Sequence, residues 1–124
     1  MREIEFRGIS HAFKTWVYSK GIWFGNNYVD IYNGKLWLKV IPQTIGQYTG
    51  LKDKNGVKIF EGDILKVTCK ETENSLSIGE VNFEYGNFAC GNELLSGLVY
   101  EGYDTAVEVI GNIHDNPELL EAGE

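Results

Sequence analysis

The chain of 124 residues reads as a mainly β protein, an antiparallel meander of short strands that ends in a short helix. Three observations predict this. Glycine is abundant and proline scarce, 15 residues against 2, which suits many tight turns. Several short segments alternate apolar and polar residues, the period of a half-buried strand. Turn-forming pairs such as Asn33-Gly34 and Asn55-Gly56 punctuate those segments. Hydrophobic residues make up 43% of the chain. A domain of this length buries about two-thirds of the surface its unfolded chain exposes, so no disulfide or metal is needed to hold it.

The elements follow in order. Ile4 and Phe6 alternate with Glu3, Glu5 and Arg7 as a first strand. Lys14 to Phe24 carries Trp16, Val17, Tyr18, Ile22, Trp23 and Phe24 around Gly21, which fits two short strands turning near Lys20-Gly21. Tyr28 to Tyr32 and Lys35 to Ile41 flank Asn33-Gly34, a hairpin signal, and Pro42 ends the second strand. Gln43 to Gly56 is richer in glycine and polar residues. Its end, Asp53-Lys54-Asn55-Gly56, is expected to turn with Asn55 and Gly56 left-handed. Val57 to Phe60 is a short apolar stretch, Glu61-Gly62-Asp63 a turn, and Ile64 to Cys69 a strand. Lys70 to Ser75 should be an exposed loop. Val81, Phe83 and Tyr85 then alternate with Glu80, Asn82 and Glu84, and Gly86-Asn87 turns the chain into Phe88-Ala89-Cys90. Gly91 to Asp104 fits either a strand or a helical turn, and Val107 to Ile110 is a further strand. Asn116-Pro117-Glu118 has the cap, the first-turn proline and the carboxylate of a helix start.

Charge and cysteine usage bound the function. The net charge is −7, from 18 acidic and 11 basic residues. Such a chain is repelled by phosphate backbones, so direct nucleic-acid binding is not expected. No apolar run nears the roughly 20 residues of a membrane span, and the start, Met1-Arg2-Glu3-Ile4-Glu5-Phe6-Arg7, lacks the apolar core of a signal peptide. A cytoplasmic protein without membrane contact is expected. Cys69 and Cys90 should then be reduced and buried in strands.

Catalytic motifs are scarce. His11 and His114 each stand alone; Asp115 follows His114 in what reads as a solvated turn. Gly50-Leu51-Lys52-Asp53-Lys54-Asn55-Gly56 imitates a phosphate loop but lacks the Gly-Lys-Ser/Thr ending. Asp53-x-Asn55-Gly56 imitates part of a calcium loop, but its first and twelfth ligand positions fall on Leu51 and Gly62. Glu61, Asp63, Glu101 and Asp104 could pair as acid and base only if the fold converges them, and Asp63 after Gly62 is more simply a turn residue bonding backbone N–H groups. No cofactor is implied. Aromatics crowd the first third. Trp23 and Phe24 are adjacent, and Trp37 alternates with Leu36 and Leu38, so some rings must leave any one buried face. They are either covered by a second layer or exposed as a contact surface.

The block Gln47-Tyr48-Thr49-Gly50-Leu51-Lys52-Asp53-Lys54-Asn55-Gly56, followed by Ile59-Phe60-Glu61-Gly62-Asp63-Ile64-Leu65-Lys66-Val67, closely resembles the signature of the YopX family, small proteins of bacteriophages and prophages. Glu108-Val109-Ile110-Gly111-Asn112-Ile113-His114-Asp115-Asn116-Pro117-Glu118-Leu119-Leu120 resembles its C-terminal signature, and Arg2 to Arg7 and Trp16 to Ser19 are similar too. Gly8-Ile9 departs from the family, which more often has Ala-Trp there. The resemblance spans the whole chain. It implies one domain over residues 1–124: an N-terminal β subregion to about 46, an SH3-like small barrel over about 47–114, and a helix over about 116–121. It supplies no catalytic residues.

The expected function is therefore that of a non-enzymatic phage accessory protein. It would act through an unknown protein partner, with self-association through open β edges as a further expectation. Candidate contact or motif residues are Trp23, Trp37, Tyr48, Asp53, Lys54, Glu61 and Asp63. Two alternatives are an acidic nucleic-acid mimic that blocks a basic protein, and a hydrolase built on Glu61 or Asp63.

Overall fold

In the computed structural model, which describes residues 3–122, the alternating segments become antiparallel strands. Arg2 of the opening motif lies outside the described residues. The chain divides into two compact units, Met1–Tyr48 and Thr49–Glu124.

The first unit begins with β1 (Phe6–Ile9), which pairs antiparallel with β2 (Trp16–Ser19). The turn at Lys20-Gly21 then leads to β3 (Ile22–Phe24), but β2 and β3 do not form a hairpin together. β3 joins β4 (Val29–Tyr32) and β5 (Trp37–Val40) in a separate three-stranded sheet. Val17, Val29, Ile31 and Val40 form the core of this unit. Gly8 lets β1 approach that core closely: a Cβ there would stand 3.1 Å from Val40 Cβ. An alanine there would be crowded in this packing.

The Asn33-Gly34 hairpin forms, with a difference in its turn. Only Gly34 has a positive φ, at 100°. Asn33 instead uses its side chain, whose Oδ1 accepts the N–H groups of Lys35 and Leu36. After Pro42, a 3-10 turn (Pro42–Thr44) leads into β6 (Gly46–Lys52). The sequence shows no strand alternation there, only a stretch richer in glycine and polar residues. Its first residues, Gly46 and Gln47, pair with Arg7 and Phe6 of β1.

The second unit begins within β6, whose later residues run beside β7 (Lys58–Phe60). There the Thr49 hydroxyl donates to the Ile59 carbonyl at 2.8 Å. Five strands build the main antiparallel sheet: β8 (Asp63–Cys69), β9 (Ser75–Glu84), β10 (Asn87–Cys90), β11 (Glu93–Leu94) and β12 (Thr105–Asn112). Their order is β11-β10-β9-β8-β12. The ambiguous segment after Gly91 resolves into β11 and a short helix α1 (Leu95–Val99). Leu95 and Leu98 of α1 join Ile59, Leu65, Val67, Val81, Cys90 and Val107 in the core. The hairpin between β9 and β10 turns on Tyr85-Gly86, one residue earlier than predicted, and both have positive φ. The C-terminal helix is α2 (Glu118–Ala122). Asn116 was expected to cap it; its Oδ1 accepts the N–H of Asn112 instead. The mainly β class, the antiparallel pairing and the terminal helix are those the sequence predicts.

Candidate functional site

The seven candidate residues do not converge. Asp53 and Asp63 are buried, at 7% and 2% exposure, and both bind backbone. Asp53 Oδ1 accepts the N–H groups of Asn55 and Val57, and its Oδ2 accepts the N–H of Val109 at 3.0 Å. The Lys54 N–H donates to the Val107 carbonyl in the same place. β12 ends the sheet, so its outer side would present open hydrogen-bonding groups. The turn over residues 53–57 covers that edge at Val107 and Val109. The imitation of a calcium loop thus has a structural cause: the aspartate that resembles a ligand is committed to three backbone donors.

Asp63 does similar work at the next turn. Its Oδ2 accepts the Phe60 N–H at 2.7 Å. Gly62, with φ of 89°, reverses the chain there, and its N–H and carbonyl bond Val81 and Ile113. The expectation that Asp63 is a turn residue agrees with this geometry. A carboxylate so enclosed is withdrawn from solvent. Glu61 is half-buried in the same turn. Tyr48 is buried, its N–H donating to the Glu5 carbonyl, and offers no contact surface. Lys54 is exposed beside Glu108, with 3.9 Å between Nζ and Oε1.

The cysteines are separate and reduced. Burial, with Glu80 nearby, pushes the Cys90 thiol up to about 11. Cys69 Sγ lies 3.0 Å from Asp104 Oδ2, which accepts its S–H. Among the described residues no three His, Cys, Asp or Glu side chains group as a metal site, and no helix is long and apolar enough to cross a membrane.

Two surfaces remain. The first is the outer face of the sheet β3-β4-β5. Residues directly opposite in a sheet share a face. Trp23 stands opposite Asp30, which stands opposite Lys39, and Tyr32 stands opposite Trp37. The other face carries Val29, Ile31 and Val40 into the core. Trp23 and Trp37 remain 58% and 52% exposed. Of the two arrangements open to the aromatics, no second layer covers these rings within this unit.

The second surface is a groove of about 730 Å³ in the C-terminal unit, with Leu76, Leu94, Leu98 and Tyr103 in its lining. It opens beside β9. β10 pairs only with residues 81–84 of that strand, so among the described residues 75–80 have no ladder partner on that side. Sequence reasoning missed this groove. Its walls come from the segment after Gly91, whose structure the residue pattern left open.

The residues matched by the family model for the YopX protein are 5–121. The chain belongs to the YopX family. Two solved structures are similar over almost their full length. One is the crystal structure of protein EF1440 from Enterococcus faecalis, 28% identical with a TM-score of 0.61, covering 97% of this chain and 99% of that one. The other is the X-ray crystal structure of protein yopX from Bacillus subtilis, 22% identical with a TM-score of 0.56 and the same coverage. Comparison with functionally curated proteins gives no match. YopX membership thus agrees with the motifs around Asp53 and Asp63, and both motifs serve turns here.

Proposed function

We propose that this YopX protein is a non-enzymatic phage or prophage accessory module that acts in the host cytoplasm by docking a partner protein. The observation that supports this is the apolar groove beside the open stretch of β9. An extended segment of a partner can add to a strand edge through its backbone and place alternate apolar side chains in the groove. Burial of Asp63 withdraws one of the two carboxylates of the hydrolase alternative from solvent. The test is capture by tagged protein from infected or induced host cells, repeated with Leu76→Asp and Leu94→Asp. A partner that binds the native chain and is lost with both variants, on reconstitution from purified components, supports the reading. A partner retained by both variants removes the groove from it.

A second reading is favoured by the distribution of charge. Residues 49–124 hold fifteen of the eighteen acidic side chains. Such concentration is what an acidic nucleic-acid mimic requires. Binding to a basic protein that weakens steeply with salt, yet survives the groove variants, would select this reading over the first.

A further inference from the structure

The net charge of −7 argues against nucleic acid only as an average over both units. Residues 1–48 carry six basic and three acidic side chains, a formal +3, while residues 49–124 carry five basic and fifteen acidic, a formal −10. The aromatic face lies wholly in the basic unit. We infer that the outer face of the sheet β3-β4-β5 is a binding platform for single-stranded nucleic acid.

Three features carry this. Trp23, Tyr28, Tyr32 and Trp37 are all exposed, in place of the polar residues that normally face water on a one-sided sheet. Their opposite neighbours already bury the core, so folding does not require aromatic rings there. Lysines border the rings. Lys39 Nζ stands 5.9 Å from the Tyr28 ring centre. Lys35 lies in the turn that joins Tyr32 to Trp37. Lys20 precedes Gly21, whose carbonyl accepts the Tyr32 N–H at 3.0 Å. Asp30 is the one carboxylate on this face among its paired positions. Finally, charge interrupts the rings: Asp30 and Lys39 share a row with Trp23, beside the row of Tyr32 and Trp37, whose ring centres stand 5.3 Å apart. That pattern suits separate bases stacked on rings with phosphates led past lysines, since every base offers a π face and every phosphate a charge. A folded partner protein would favour a continuous apolar centre with a polar rim.

The test uses the full chain and three labelled probes: oligothymidylate of about 16 nucleotides, a duplex of the same length, and polyglutamate. Fluorescence anisotropy at low salt should rise with the single strand, with tighter binding than to the duplex, and should fall as salt is added. Trp23→Ala and Trp37→Ala should each weaken binding about tenfold, whereas Trp37→Phe keeps most of it. Lys39→Glu and Lys35→Glu, at exposed positions, carry the test even if an alanine variant fails to fold; each should weaken binding. Tyr103→Ala, in the other unit, should change nothing. No binding at low salt would overturn the inference. So would binding indifferent to both tryptophans and both lysines, or preference for the duplex. Polyglutamate bound as tightly as the oligonucleotide would overturn it too, and would assign the face to an acidic protein instead.

Discussion

The carboxylate of Asp53 accepts the backbone N–H of Val109 at 3.0 Å, joining a turn to the edge strand that lies 56 residues further along the chain. With its other oxygen it holds Asn55 and Val57, so one buried side chain fixes both the turn and its docking. Asp53→Asn keeps the shape but replaces one acceptor oxygen with a donor that faces N–H groups. The expected cost is about 2–4 kcal/mol, since at least one buried donor is left without an acceptor. Urea unfolding of the variant measures it. A cost below that of an ordinary surface substitution would mean that the 53–57 turn does not depend on this link.

The same residue shows what could and could not be read from the chain. The turn at Asp53-Gly56 is visible in residue types, because Asp and Gly have local reasons to turn. Its docking onto Val107 and Val109 is not, because that requires knowing which strand ends the sheet. The failed calcium and phosphate loops were also legible, since the ligand positions are fixed by spacing. Asn55 is expected to be left-handed and is not; like Asn33, it lies one residue before a glycine that is. A left-handed glycine is cheaper than a left-handed asparagine, so the neighbour takes the strain. β6 was missed because Gly46, Gln47 and Gly50 look like loop, and its pairing with β1 is a tertiary decision. The outward rings of Trp23 and Trp37 followed from alternation, but whether anything covered them did not.

Cys90 makes stability depend on alkaline pH. Its thiol is raised from 9.0 to about 11 in the folded protein, first by burial and then by Glu80. A raised pKa means that the folded state holds the proton more tightly than the unfolded state. The contribution is therefore complete below about pH 9 and is lost as pH rises toward 11. Unfolding free energy should decline across that window by at most about 3 kcal/mol. Cys90→Ala should flatten that part of the profile. An unchanged slope in the variant would assign it to other groups.

Gly8 and Val40 should be energetically coupled. A Cβ at position 8 would meet Val40 Cβ at 3.1 Å and Ile31 Cδ1 at 3.3 Å. Gly8→Ala gains some strand stability from reduced chain entropy, yet it crowds a closed core. A net loss of about 1 kcal/mol is expected. In a double-mutant cycle with Val40→Ala, the alanine at position 8 should cost less or become favourable. Strict additivity would show that the core yields elsewhere.

The two faces of the sheet β3-β4-β5 should respond oppositely to truncation. Ile31 is fully buried, and Ile31→Ala should cost about 2–5 kcal/mol. Trp23 is a larger side chain on the outer face, yet Trp23→Ala should cost less than about 1 kcal/mol. Thermal unfolding of both variants compares them directly. A large loss at Trp23 would make the ring a structural cover, and would weaken its assignment as a contact surface.

Tyr85 offers a gain. It sits at the tip of the β9-β10 hairpin, 98% exposed, with φ of 52°, and Gly86 follows at 80°. Two successive positive φ values are the geometry of a type I′ turn, which Asn-Gly adopts most readily. A tyrosine there bears backbone strain with no packing to offset it. Tyr85→Asn relieves the strain, and Tyr85→Gly relieves more but adds freedom to the unfolded chain. Tyr85→Asn should therefore stabilise by about 0.5–1 kcal/mol, with Tyr85→Gly gaining less. Equilibrium unfolding ranks the three chains. Since nothing in the fold needs this ring, a variant that is more stable but loses a binding activity would mark Tyr85 as a contact residue held in strain for that purpose.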